Sequence, residues 1–296
     1  MSDPRPIGVF DSGLGGLTVL RDIRARLPGE RLVYLGDTAR VPYGTKSAAT
    51  VTRYALQCAG FLARRGIKAL AVACNTASAV AMEALGSEMA LLRIPVLGVI
   101  EPGSVQACRA SRSGRVGVIG TASTIRSGAY ARAIAAIRPD FQVTGAACPL
   151  FVPLAEEGWT GRDDAVARAA AMRYLRPLAQ GGIDTLIMGC THYPLLREVI
   201  EETLAEMAPP GRGVTLVDSG EVLAADLARV LANNDAAAPA GGPSSGGLSG
   251  DAERFYVTDD PERFAALAAR FLGRDIPQPH VADLDSSEAV LPGEAP

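Results

Sequence analysis

The chain has 296 residues, enough to bury a sizeable core, and 48% of them are hydrophobic, which argues against a disordered protein. Its net charge of −3 points to neither a nucleic-acid surface nor an anionic membrane partner. Lys46 and Lys68 are the only lysines, which leaves little choice for the Schiff base that a pyridoxal-phosphate enzyme needs. The N-terminal MSDPRPIGVF has no basic flank followed by a long apolar run, so no signal peptide is expected. No segment approaches the apolar length of a membrane span. The five cysteines (58, 74, 108, 148, 190) are odd in number and lack CxxC or scaffold spacing, which fits a reducing, cytoplasmic setting. Cys58, Cys108 and Cys148 read as small core or surface residues.

Residues 7–10 form a short apolar strand that runs into DSGLGG (11–16), after which Leu17, Leu20, Ile23 and Leu27 recur at helical spacing. Residues 32–35 are the next strand, closing on the turn-rich GDTARVPYG (36–44). A long helix is predicted over 47–65, stopping at Gly66. Residues 68–73 are the strand that delivers Cys74, 76–89 the helix after it, and 95–100 another strand. This alternation calls for a mainly parallel sheet with helices on both faces.

Near residue 101 the cycle starts again. VGVIG (116–120) resembles the opening IGVFD and is followed by Thr121, Ser123 and a helix. A strand over 141–147, a short helix or turn over 149–158 and a long helix over 162–179 follow, and 183–188 is the strand that delivers Cys190. The repeated order predicts two similar parallel-sheet α/β lobes with a pseudo-two-fold relation, each contributing one cysteine to a site between them. After a helix over 194–207, PPGRG marks a boundary; 214–217 is a strand and Ser219 the N-cap of a helix to 231. Residues 233–250, rich in Ala, Gly, Pro and Ser, read as a flexible insertion. A last strand and helix occupy 253–258 and 261–272, and 274–296 read as a disordered tail.

Four stretches can carry chemistry. Asp11-Ser12 with its glycines ends a strand and opens a helix, a setting that offers backbone N–H groups to an anion. It lacks the third glycine of the dinucleotide pattern, where Thr18 stands, and it lacks the Lys-Ser/Thr ending of a phosphate-binding loop. What remains is a carboxylate-binding turn with Asp11 beside it, or a turn that serves helix packing alone. Cys74 and Cys190 each end a buried strand and precede small hydrogen-bonding residues and a helix start, where the helix dipole favours a thiolate. A zinc site would have to use Cys74, Cys190, His192 and Asp11, with no paired ligand spacing to support it, so no metal is expected. A Cys190–His192 nucleophile pair, as in a hydrolase, would leave Cys74 without a task. Symmetric use of two thiols explains more. Inverting a chiral carbon needs a base on one face and an acid on the other, and two thiols on facing lobes meet that need without a cofactor. Ser12, Tyr43, Asn75, Thr76 and Thr191 are the right groups to stabilise the carbanion around a carboxylate, with Asp11 and His192 tuning the thiol protons.

VFDSGLGGLTVL, YLGDTARVPYG, ACNTAS, GVIGT, PLFVPLAEEG and GCTHYPLL together resemble the glutamate racemases, cofactor-independent members of the aspartate/glutamate racemase superfamily, over residues 7–231. The resemblance implies that Cys74 and Cys190 are the acid/base thiols, with Asp11 assisting Cys74 and with Glu156 and His192 assisting Cys190. It further implies that Asp11-Ser12, Tyr43-Gly44, Asn75-Thr76 and Thr191-His192 hold the substrate. His192 after Cys-Thr favours glutamate over aspartate as substrate. By the same resemblance residues 1–98 and 212–273 make the first lobe and 99–211 the second, the product is D-glutamate for peptidoglycan, and the chain is a homodimer or a monomer–dimer equilibrium. The alternatives are a racemase of aspartate or another small amino acid, and a binding role restraining DNA gyrase, as described for some family members.

Overall fold

The computed structural model describes residues 3–207, 213–234, 236–238 and 252–284. Its strands are β1 (Ile7–Asp11), β2 (Leu32–Gly36), β3 (Ala69–Val72), β4 (Val96–Gly98), β5 (Arg115–Gly120), β6 (Gln142–Ala147), β7 (Thr185–Gly189), β8 (Thr215–Asp218), β9 (Glu253–Val257) and β10 (His280–Val281). The helices before the midpoint are α1 (Leu17–Arg26), α2 (Ala48–Ala63), α3 (Asn75–Val80), α4 (Met82–Leu91), α5 (Ile100–Ala110), α6 (Ala122–Ser127) and α7 (Ala129–Ile137). Those after it are α8 (Phe151–Glu157), α9 (Ala165–Gln180), α10 (Arg197–Met207), α11 (Ser219–Asn233) and α12 (Pro261–Leu272).

Two all-parallel sheets result, in the orders β10-β9-β2-β1-β3-β4 and β6-β5-β7-β8. Their inner strands are apolar on both sides because both faces are covered. On the first sheet, α1, α11 and α12 pack against one face through Leu17, Leu20, Leu223, Leu227, Phe264 and Phe271. The other face carries α2 and α4 through Val51, Ala55, Leu62 and Leu85. On the second sheet, α8, α9 and α10 cover one face with Phe151, Leu175 and Ile200, and α5 and α7 cover the other with Ala107 and Ile134.

Local chemistry sets the breaks. The Ser47 side chain accepts from the Thr50 N–H and caps α2, and Gly66 turns the chain afterwards at φ 68°. The helix expected over 76–89 is two, α3 and α4, meeting at Ala81. Gly128, at φ 64°, likewise separates α6 from α7.

Three expectations need correction. Residues 212–273 were expected in the first lobe, but β8 pairs with β7, so the chain rejoins the first sheet's core only with α11. A strand's own pattern does not name its neighbour. Asp218, not Ser219, caps α11, accepting from the Gly220 N–H at 2.9 Å. The tail expected to be disordered from 274 holds β10 against β9, with Ala282 buried beneath it. The insertion expected over 233–250 lies outside the described residues at 235 and 239–250; Asn233 ends α11 and Ala236 packs on the first core.

The chain passes between the sheets twice, once from β4 through α5 to β5 and once from β8 into α11. The strands' carboxyl ends meet where the sheets face each other.

Candidate active site

Five strand ends build one cavity of about 70 Å³. β1 delivers Ser12 and Gly13, the turn after β2 delivers Tyr43 and Gly44, and β3 delivers Cys74, Asn75 and Thr76; β5 delivers Thr121, and β7 delivers Cys190, Thr191 and His192. Glu156 of α8 completes the wall on the second sheet's side. Asp11 lies directly behind, fully buried. The structure thus gathers every site residue that the sequence nominated. Two larger surface hollows, of about 580 and 490 Å³, contain neither thiol.

The two sulfurs have different neighbours. Cys74 Sγ donates toward Ser12 Oγ at 3.6 Å. Burial pushes the Cys74 thiol up to about 12, and the nearby Asp11 carboxylate adds to the rise, partly offset by the Ala77 N–H and Ser12. Asp11 is itself raised by burial, although His192 and the N–H groups of Gly13, Gly16 and Ser12 oppose this. Its Oδ2 accepts from the Gly13 N–H at 2.9 Å, whereas Oδ1 is buried without a partner among the described residues.

Cys190 Sγ sits 3.9 Å from His192 Nδ1, and His192 Nε2 sits 3.0 Å from Glu156 Oε1. Burial alone would lower the imidazole's pKa, but the contacts with Cys190 and Glu156 outweigh it and raise His192 to about 10. The hydrogen bond to His192 holds Glu156 below the usual carboxylate range despite its partial burial. The imidazolium form of His192 is thereby favoured, with Glu156 as its carboxylate partner.

Close packing joins the halves. A Cβ on Gly15 would collide with Thr191 and His192, and one on Gly44 would lie 2.6 Å from Thr121 Cβ. Thr18 Oγ1 donates to the Thr191 carbonyl at 2.9 Å. The Tyr43 hydroxyl donates to the buried Asp37, which also accepts from Arg40 Nε at 2.7 Å and Thr258 Oγ1 at 2.9 Å. Sequence reasoning noticed Thr121 only as a residue after a strand and did not place Thr124. Thr76 Oγ1 lies 3.0 Å from Thr121 Oγ1 and 3.2 Å from Thr124 Oγ1, a triangle of hydroxyls across the two halves. The position of Thr121 after VGVIG, matching Ser12 after IGVFD, was the signal that could have found it.

Two parallel α/β sheets facing each other across a cavity, with one thiol from each, define an enzyme cleft of two-lobed α/β architecture. The chain belongs to the Asp/Glu/hydantoin racemase family, whose profile matches residues 7–227. It is 51% identical over 284 residues to the glutamate racemase of Geobacter metallireducens, covering 96% of this chain and 98% of that one. The crystal structure of glutamate racemase from Francisella tularensis in complex with D-glutamate superposes with a TM-score of 0.85 at 38% identity, covering 96% and 99% of the two chains. The Thermus thermophilus glutamate racemase in complex with β-chloro-D-alanine gives 0.81 at 44% identity, covering 96% and 99%.

Proposed function

We propose that this protein interconverts L- and D-glutamate without a cofactor, with Cys74 and Cys190 as the acid/base pair. The observation that carries the reading is the pair of buried thiols, each delivered by a different sheet to the same cavity. One sulfur, as thiolate, removes the α-proton and the other, as thiol, returns a proton to the opposite face. With its pKa near 12, Cys74 rests as the thiol and is ready to act as the acid. The reverse direction requires its proton to leave first, and the buried Asp11 carboxylate is the group placed to accept or steer it. On the other side, the His192–Glu156 pair is placed to exchange a proton with Cys190. Ser12, Asn75, Thr76 and Thr191 supply small donors around the carboxylates, Tyr43 and Gly44 close the wall, and the carbanion is stabilised by such preorganised donors.

The cavity between the thiol turns is small, about 70 Å³, and a separation of the two halves would widen it for glutamate. In this reading residues 3–98 with 219–234 and 252–284 act as one lobe and 99–207 with 213–218 as the other. The chain works in the cytoplasm, where its five unpaired cysteines stay reduced, and supplies D-glutamate for peptidoglycan. Its expected assembly, a homodimer or a monomer–dimer equilibrium, is read by sedimentation velocity.

The test is proton exchange at the α-carbon in heavy water, starting from each enantiomer, with wild type, Cys74→Ala and Cys190→Ala. Wild type should invert both enantiomers with deuterium entering the product, and each variant should lose inversion. Survival of inversion in either variant refutes the two-thiol assignment. Inversion of aspartate but not glutamate refutes the substrate.

A further inference from the structure

Tyr130 reaches from one thiol-bearing turn to the other. It lies on α7, 3% exposed, with its ring among the buried apolar residues between α5 and the second sheet. A Cβ on Gly189 would come within 3.0 Å of the Tyr130 ring, so the ring rests on the backbone of the residue immediately before Cys190. At its other end, the hydroxyl donates to Asn75 Oδ1 at 2.7 Å, on the residue immediately after Cys74. One rigid side chain thus spans two turns that come from different sheets.

The hydrogen-bond order of this chain is determined by its proton count. A phenol has one proton, and here it goes to Asn75. Ser219 Oγ, 3.1 Å from the phenol oxygen, then acts as donor to it, in preference to the Met188 carbonyl at 3.5 Å. With its oxygen held by Tyr130, the Asn75 carboxamide keeps its nitrogen as the donor for the cavity that Asn75 lines. An amide whose oxygen is not anchored could turn over and present an acceptor instead, which would repel a carboxylate.

We infer that Tyr130 is a positioning residue for racemisation: it fixes the Asn75 carboxamide with its N–H groups toward a substrate carboxylate, and through Gly189 it ties that orientation to the Cys190 turn. The inference rests on the amino-acid racemase reading given above. The residue makes no contact with the cavity itself and acts through Asn75. Ser219, at the start of α11, steadies the phenol and brings a third element into the same contact.

The test is a double-mutant cycle on the full chain, with racemisation of L- and D-glutamate as the readout. Tyr130→Phe removes the hydroxyl and keeps the ring on Gly189. Loss of one buried hydrogen bond that orients a binding group should lower kcat/KM by about tenfold, largely as a rise in KM. In an Asn75→Ala background the same change should cost less than about twofold, because the group it positions is gone. Ser219→Ala should give a smaller loss of about threefold that also disappears when Asn75 is Ala. A purely structural role for Tyr130 would instead give equal losses in both backgrounds and overturn the inference, as would an unchanged kcat/KM in Tyr130→Phe. If Tyr130→Phe does not fold, the Ser219→Ala cycle decides by the same criterion. A wild-type protein that leaves glutamate and aspartate untouched overturns the racemase reading and this inference with it. An active wild type with an indifferent Tyr130 overturns only the inference.

Discussion

The turns after β3 and β7 are alike in sequence grammar and unlike in electrostatics. Both end a buried strand with a cysteine followed by small polar residues. Around Cys74 stand a carboxylate and a serine hydroxyl; around Cys190 stand an imidazole and its carboxylate partner. A racemase has no chemical preference between its two directions, so the fold can be symmetric. In the proposed two-thiol mechanism the resting enzyme nevertheless has to hold one sulfur with its proton and supply the other with a partner for exchange, a difference made by the groups behind the sulfurs. Because the enantiomers have equal free energy in water, kcat/KM must match in the two directions for every variant, however lopsided its kcat and KM become.

The comparison can be broken most strongly at His192. His192→Ala removes the cation beside Cys190 and should lower kcat/KM by about a hundredfold in both directions, measured by polarimetry. The thiol titration of Cys74 should stay near 12 in that variant. Asp11→Asn is the converse. It should reduce kcat/KM by about tenfold and lower the Cys74 pKa, read by thiolate ultraviolet absorbance, since the carboxylate's charge helps raise it.

Glu156→Gln is a milder change and tests pH dependence. His192 titrates near 10 in the folded protein against 6.5 when unperturbed. Its contribution to stability is therefore complete below pH 6.5, shrinks between 6.5 and 10, and is gone above that range. The variant should flatten this decline in Tm against pH and move the alkaline loss of activity to lower pH, because a neutral amide supports the imidazolium less well.

The smallest effect lies away from both thiols. Asp22 on α1 is raised to about 6 by burial first and then by the neighbouring Asp218. As its folded pKa lies above the usual 3.8, its favourable contribution is present below 3.8 and lost as pH rises through 6. Asp22→Asn should raise stability by about 1 kcal/mol at about pH 8 and by nothing at about pH 3, read from urea midpoints, with kcat/KM unchanged.

The strand–turn–helix rhythm, both thiols and the polar residues beside them were legible because each is local: an apolar run, a turn, a helical period. Glu156 was legible only through the family resemblance, because nothing around it in sequence connects it to His192, 36 positions away. Thr124 and Tyr130 were not legible at all. Their roles come from hydroxyls that meet residues of the other half, and spacing along the chain carries no trace of such meetings. Composition misjudged the start of the tail for a related reason. Proline and acidic residues describe a segment's own preferences, whereas β10 is ordered by the free edge of β9.

The two passages between the sheets have a mechanical consequence. α5 and α11, which carry them, lie against each other, close enough that a Cβ on Gly103 would sit 3.4 Å from Ser219 Oγ. Two bodies joined at neighbouring points keep one easy freedom, rotation about a hinge line through the joints, while twisting and sliding are resisted. If the lobes separate to admit substrate, the mouth of the cavity would open like a book along that spine. The Tyr130–Ser219–Asn75 contact sits beside the spine, where a given angle of opening displaces atoms least, and so it can survive an opening that separates the far edges of the two lobes.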